Sequence, residues 1–237
     1  MKNRLFIRAL LLPVIFIAIT AFMMPLPQEK NNYNGEKFTS LGIAVKSKVY
    51  IQQGSSYKVD IQADDKTLEK ILVELNSEEL QIRCKPGSKI DEPVTINITA
   101  AVLNAISVAG SAEVFVEKPF DTDKMNLSIA GSGSMTLNDL QTEKVSASIA
   151  GSGDLVLAGG KGESSLDVSI AGSGDIDALG FKATKAEVEI AGSGDCKLSA
   201  SGKLDVSIAG SGDVYYKGNP ILNSESAGSG KVSHLDD

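Results

Sequence analysis

The chain has 237 residues, a formal net charge of -7, 5% aromatic residues and no Trp. The acidic balance argues against nucleic acid and anionic membrane surfaces as partners. So few rings also leave platforms for stacking sugars or bases scarce.

Lys2, Arg4 and Arg8 precede an apolar run from Ala9 to Met24, broken by Pro13 and followed by Pro25 and Pro27. A basic start ahead of a short apolar core reads as a signal peptide over residues 1–27. The alternative is an uncleaved N-terminal anchor, the one expected route to a membrane. No Cys near the run is available to carry a lipid. Loss of this segment would remove those three cations and move the net charge from -7 to -10. Residues 28–37 are polar and read as a flexible leader.

From Phe38 to about Ala105 the sequence alternates in short runs, among them Gly42–Val45, Lys48–Ile51, Tyr57–Ile61, Leu80–Cys84 and Val94–Ile98. Each predicts a strand. Gln53-Gly54-Ser55 and Pro86-Gly87-Ser88 predict turns. Lys66–Leu75 has a helix-like pattern but β-branched content, so a short helix and a strand both stay open.

From Ile106 onward a unit recurs. Ala-Gly-Ser-Gly or a near copy begins at Ala109, Ala130, Ala150, Ala171, Ala191, Ala209 and Ala227, at steps of 21, 20, 21, 20, 18 and 18 residues. Counted from the first Gly of each motif, aliphatic residues occupy the offsets two and four before and four and six after. Two before stand Val108, Ile129, Ile149, Ile170, Ile190 and Ile208. All these offsets are even, and side chains alternate across a strand, so one face is apolar and buried. A turn of about 20 residues cannot bury that face alone, but stacked turns make each aliphatic row a continuous ladder.

The expected fold is therefore all-β: a right-handed parallel β-helix, or β-solenoid, with coils of about 20 residues, preceded by irregular capping strands. Residues 38–236 form one domain, with 38–105 as N-terminal strands or cap and 106–236 as repeats. The two motif glycines share the inward parity. They mark either a narrow interior crossing or a positive-φ bend. Ser224 and Ser226 replace aliphatics in the last copy, which reads as a polar cap over an open end. Cys196 holds a position otherwise aliphatic, so a buried free thiol is expected rather than a bridge to Cys84.

The odd offsets face water. Ser132, Ser152, Ser173, Ser193 and Ser211 follow the first Gly, and Asp154, Asp175, Asp195 and Asp213 stand three after it. The serine file is the candidate binding surface. The Asp row is first a solvated edge, and second a candidate cation row, since calcium takes carboxylate oxygens; the nine-residue calcium-roll pattern is not matched. No helix and no Lys-Ser/Thr follow the Gly-x-Gly, so nucleotide binding is set aside. A hydroxyl array could also bind ice, although Thr would then be expected in place of Ser. No catalytic residue and no cofactor are assigned. The single His, His234, lies in the cap, and Arg83 is the one Arg after the N-terminal segment. The enzymatic alternative, polysaccharide cleavage, would rest on Asp175 and Asp195 of successive coils.

Phe38-x-x-Leu41, Val45, Val49-Tyr50-Ile51-Gln52-Gln53-Gly54, Leu103-x-x-Ile106-x-Val108-x-Gly110-Ser111-Ala112 and the repeated Ser-Ile-Ala-Gly-Ser-Gly-Asp resemble the putative auto-transporter adhesin family with the head GIN domain, common in Bacteroidetes-type bacteria. The likeness runs from about Phe38 to Lys231. It implies a right-handed β-helix and a cell-envelope or extracellular location, and it supplies no active-site residues. The expected function is that of an exported, non-enzymatic module binding a glycan or a surface protein. A structural envelope scaffold is the further alternative.

Overall fold

The computed structural model describes residues 32–116 and 118–236. The segment read as a signal peptide or anchor lies outside the described residues. What is described is a β-solenoid of about six turns with coils of about 20 residues.

At the N-terminal end, β1 (Asn32–Asn34), β2 (Ser40–Ala44), β3 (Lys48–Gln53) and β4 (Lys58–Gln62) lead to a single helical turn, α1 (Asp65–Leu68). Asp64 caps that turn: its carboxylate accepts the backbone N–H groups of Lys66 and Thr67 at 3.0 and 3.2 Å. The side-chain hydrogen bond with Thr67 is the main cause holding its pKa below the usual carboxylate value. The ambiguous stretch thus divides, with a helical turn first and then β5 (Ile71–Asn76), which folds back on β6 (Glu79–Cys84). β7 (Thr95–Ala100) completes this end. β1 falls within the segment read as a flexible leader and pairs antiparallel with β4.

The repeats begin with β8 (Ala105–Gly110) and β9 (Glu113–Val116), followed by β10 (Phe120–Asp121), β11 (Lys124–Gly131), β12 (Ser134–Gln141) and β13 (Lys144–Gly151). Next come three long strands that bend around the coil: β14 (Asp154–Gly172), β15 (Asp175–Gly192) and β16 (Cys196–Gly210). β17 (Val214–Lys217), β18 (Ile221–Gly228) and β19 (Val232–His234) finish the rod.

Two long parallel ladders run along it. The first stacks β6, β2, β8, β11, β13, the second half of β14 and of β15, β16 and β18. The second stacks β7, β3, β9, β12, the first half of β14 and of β15, β16, β17 and β19. From β8 on, the rungs follow chain order. Before it they do not, because β2 and β3 lie between the rung of β6 and β7 and that of β8 and β9. Antiparallel strands close this end, with β5 on β6 and β4 on β7. Gln53 ties the layers together: its Nε2 donates to the carbonyls of Ala101 and Asp121, and its Oε1 accepts the N–H of Asp121.

The core is the expected set of aliphatic files. Val108, Ile129, Ile149, Ile170, Ile190 and Ile208 are partners in successive rungs and all are buried. Each such side chain removed from water stabilises the rod by about 1.5–3 kcal/mol. Phe120, Leu140 and Phe181 are buried in the same core, with Phe120 opposite Leu140 in register. Cys196 is fully buried and free, while Cys84 is free and half-buried. Burial pushes the Cys196 thiol up to about 12, with the nearby Asp177 and Asp195 adding to the effect.

The bend describes the first motif glycine alone, while the close crossing describes both. The first Gly is the bend, with φ of +125° at Gly131, +129° at Gly172 and +141° at Gly192. Close crossing holds at both: a Cβ on Gly172 would press on the Gly151 carbonyl, and one on Gly153 or Gly174 would lie 2.5 or 2.6 Å from the Cγ2 of the isoleucine file one rung below. Adjacent coils are therefore packed through bare backbone at this corner.

Candidate binding surface

The bend after each first Gly turns the following serine outward. Ser132, Ser152, Ser173, Ser193 and Ser211 are all exposed and one rung apart, about 4.8 Å by strand spacing. Their backbone N–H groups donate to Gly carbonyls of the preceding rung at 2.8–2.9 Å. None of the five hydroxyls makes a hydrogen bond among the described residues. The file is thus a row of uncommitted hydroxyls on a backbone held rigid by the ladder.

Beside it, the outer face of the first ladder carries shallow hollows of about 260, 480 and 200 Å³ in succession from β6 to β18. Their floor is small and polar at Ser128, Ser146, Ser148 and Ser169, then acidic at Asp167, Glu187, Glu189, Asp205 and Glu225. Part of that acidity is paired between neighbouring positions. Lys144 meets Asp167 at 2.8 Å, and that hydrogen bond raises the lysine pKa. Lys203, then Asn223, donate to Asp205 and lower its pKa. The residues five before each first Gly, including Asn126, Ser146, Asp167, Glu187 and Asp205, were missed as surface candidates. Continuing the two-residue alternation one step further would have found them.

The Asp row has a backbone task in the later coils. Asp175 Oδ1 accepts the N–H of Asp195, Asp195 Oδ1 that of Asp213, and Asp213 Oδ1 that of Lys231, each at 2.8 Å. In earlier coils the same N–H donates to a Gly carbonyl instead, as Asp154 does to Gly133 at 3.1 Å. The switch comes between Asp175 and Asp195, just ahead of the two 18-residue steps. The Asp213 carboxylate also accepts the Tyr215 hydroxyl, which raises that phenol's pKa. Among the described residues no three His, Cys, Asp or Glu side chains gather as a metal site. The pair considered for acid–base work, Asp175 and Asp195, is joined through a carboxylate-to-backbone bond.

The polar end rung is exposed along its whole length, Ser224 and Ser226 included. His234, in β19, packs edge-on to Tyr216 of β17, with its Nε2 2.9 Å from the Gly218 carbonyl. At the opposite end, two rings lie side by side on the outer face of the second ladder. Tyr50 and Phe115 have centroids 5.5 Å apart and planes inclined by 21°.

The family described as "Putative auto-transporter adhesin, head GIN domain" matches residues 37–220. The fold is similar to that of a putative adhesin from Bacteroides fragilis (23% identity, TM-score 0.79, covering 88% of this chain and 99% of that one). A putative adhesin from Parabacteroides distasonis is similar at 22% identity and TM-score 0.70, over 86% of this chain and 95% of that one. A putative lipid binding protein from the same organism is similar at 23% identity and TM-score 0.71, over 86% and 96%. No curated protein matches the chain.

Proposed function

This chain belongs to the putative auto-transporter adhesin family with the head GIN domain, and from that membership we propose that it is an exported, non-enzymatic binding module of the bacterial envelope. Its ligand is a glycan or a protein displayed on a surface. The carrying observation is the file of five exposed, uncommitted serine hydroxyls on a rigid parallel ladder. Preorganised donors and acceptors at a fixed repeat lose little entropy on binding an extended partner, and several weak contacts in register add up to useful avidity. The neighbouring trough is too shallow to enclose a small molecule, which suits a long, flat partner better.

Replacing Ser152, Ser173 and Ser193 together with Lys tests this surface. Glycan-array and cell-surface binding should fall at least tenfold with the melting temperature nearly unchanged, since all three side chains are exposed. Unchanged binding in a folded triple variant would reject the serine file as the contact.

A further inference from the structure

We infer that the Tyr50–Phe115 pair forms a second, separate site that takes one neutral hexopyranose ring. The inference rests on reading the protein as a binding module but uses none of the serine file. Aromatic residues are rare in this chain, and two of them have been brought to the outside from 65 positions apart. Register places Tyr50 opposite Phe115 on one side and opposite Asn97 on the other. The stacked rings and the short Asn97 side chain leave a hollow of about 290 Å³, also lined by Gln52 and Lys118. That lies just below the ~300–1,000 Å³ of sites for drug-sized ligands, so it suits a single ring rather than a chain.

The chemistry of the lining is that of sugar recognition. Tyr50 remains 38% exposed although its ring already stacks on Phe115. The C–H face of a pyranose carries partial positive charge and meets the negative face of an aromatic ring favourably. Around the rings stand polar groups free to bind hydroxyls. The Tyr50 hydroxyl, the Asn97 amide and the Lys118 ammonium make no side-chain hydrogen bond among the described residues. Gln52 donates its Nε2 to Thr99 at 3.1 Å and keeps its Oε1 available as an acceptor. An apolar wall with a few convergent donors and acceptors both attracts a ring and fixes its orientation.

The test is an NMR titration of the full chain with the methyl glycosides of glucose, galactose, mannose and N-acetylglucosamine. At least one should give saturable shifts at Tyr50, Phe115 and Asn97, with a dissociation constant in the millimolar range, on the order of −4 kcal/mol. Tyr50→Ala should weaken binding about tenfold or more at unchanged melting temperature. Tyr50→Phe, which keeps the ring, should weaken it less. Should Tyr50→Ala disturb the fold, Lys118→Ala and Asn97→Ala carry the same test with a smaller loss. The Ser152, Ser173 and Ser193 lysine variant should bind these glycosides like the wild type, whatever it does to surface adhesion. No saturable shift with any of the four, shifts confined to the serine file, or undiminished affinity in Tyr50→Ala would overturn the site.

Discussion

From Lys124 onward each rung lies on the one that precedes it in the chain. Between Asn32 and Ala100 the strands are layered out of order and end in antiparallel pairs. The regular region can be extended by repeating one unit, and its outer corner is correspondingly uniform: Ala, Gly and Ser at every turn. The irregular region has to terminate the stack. Its antiparallel strands cover edges that would otherwise pair with another chain. It also turns one aromatic ring outward, that of Tyr50 in β3. Regularity here buys a flat surface, and irregularity supplies closure and relief.

The sharpest way to break this contrast is to remove one core side chain from each region. Ile43 lies in register between Ile82 and Val108, and Ile149 between Ile129 and Ile170; both are buried. Ile43→Ala and Ile149→Ala should each cost about 3 kcal/mol in denaturant unfolding. Hydrogen exchange should show the loss spreading to both neighbouring rungs. If the out-of-order strands were a loosely attached appendage, Ile43→Ala would release them alone and leave the repeats fully protected.

Glycine separates the regions by a smaller margin. A Cβ on Gly174 would lie 2.6 Å from Ile149 Cγ2 and press on the Gly153 backbone, so Gly174→Ala should cost about 2–3 kcal/mol. Gly87, in the turn between β6 and β7, has φ +77° but nothing within 4 Å of its would-be Cβ. Gly87→Ala should cost only about 1 kcal/mol, the penalty of the left-handed backbone. Equal melting temperatures for the two variants would mean that the corner is not close-packed.

How legible each region was in sequence follows the same division. Even-offset aliphatics from Val108 to Ile208 specified the ladders, because a one-residue slip would turn every one of them outward. Strands such as Lys48–Ile51 and Leu80–Cys84 were also readable one at a time. Their stacking order was not: alternation says that Val49 points inward but not that its neighbours are Ile96 and Val114. The serine file was visible from parity and is exposed as expected. The Asp-to-backbone bonds were not visible, since they depend on how a corner closes when the coil shortens. Nor was the meeting of Tyr50 with Phe115, which follows from the out-of-order layering.

Cys196 offers a pH test confined to the regular region. Its thiol is held up to about 12 in the folded chain against an ordinary value of 9.0. Below pH 9 both folded and unfolded chains keep the proton and the linkage costs nothing. Between pH 9 and 12 the unfolded chain loses it first, so stability falls by about 1.4 kcal/mol per pH unit. Cys196→Val should remove that part of the alkaline slope. Iodoacetamide should modify half-buried Cys84 well before Cys196 in the native protein.

The smallest expected effect compares two members of the Asp row. Asp195→Ala removes the carboxylate oxygen that accepts the Asp213 N–H at 2.8 Å, and that donor sits at a partly buried corner. Leaving it unpaired should cost about 1 kcal/mol. Asp195→Asn keeps an acceptor oxygen at the same place and should recover most of the loss. Asp154 belongs to a coil where the next rung's N–H, that of Asp175, donates to the Gly153 carbonyl at 3.2 Å, so Asp154→Ala should change the unfolding midpoint hardly at all. This ordering separates a structural Asp from a merely solvated one within a single file. Were all three variants to melt together, the carboxylate-to-backbone bonds would contribute nothing, and the acidic row would be free along its whole length to serve a ligand.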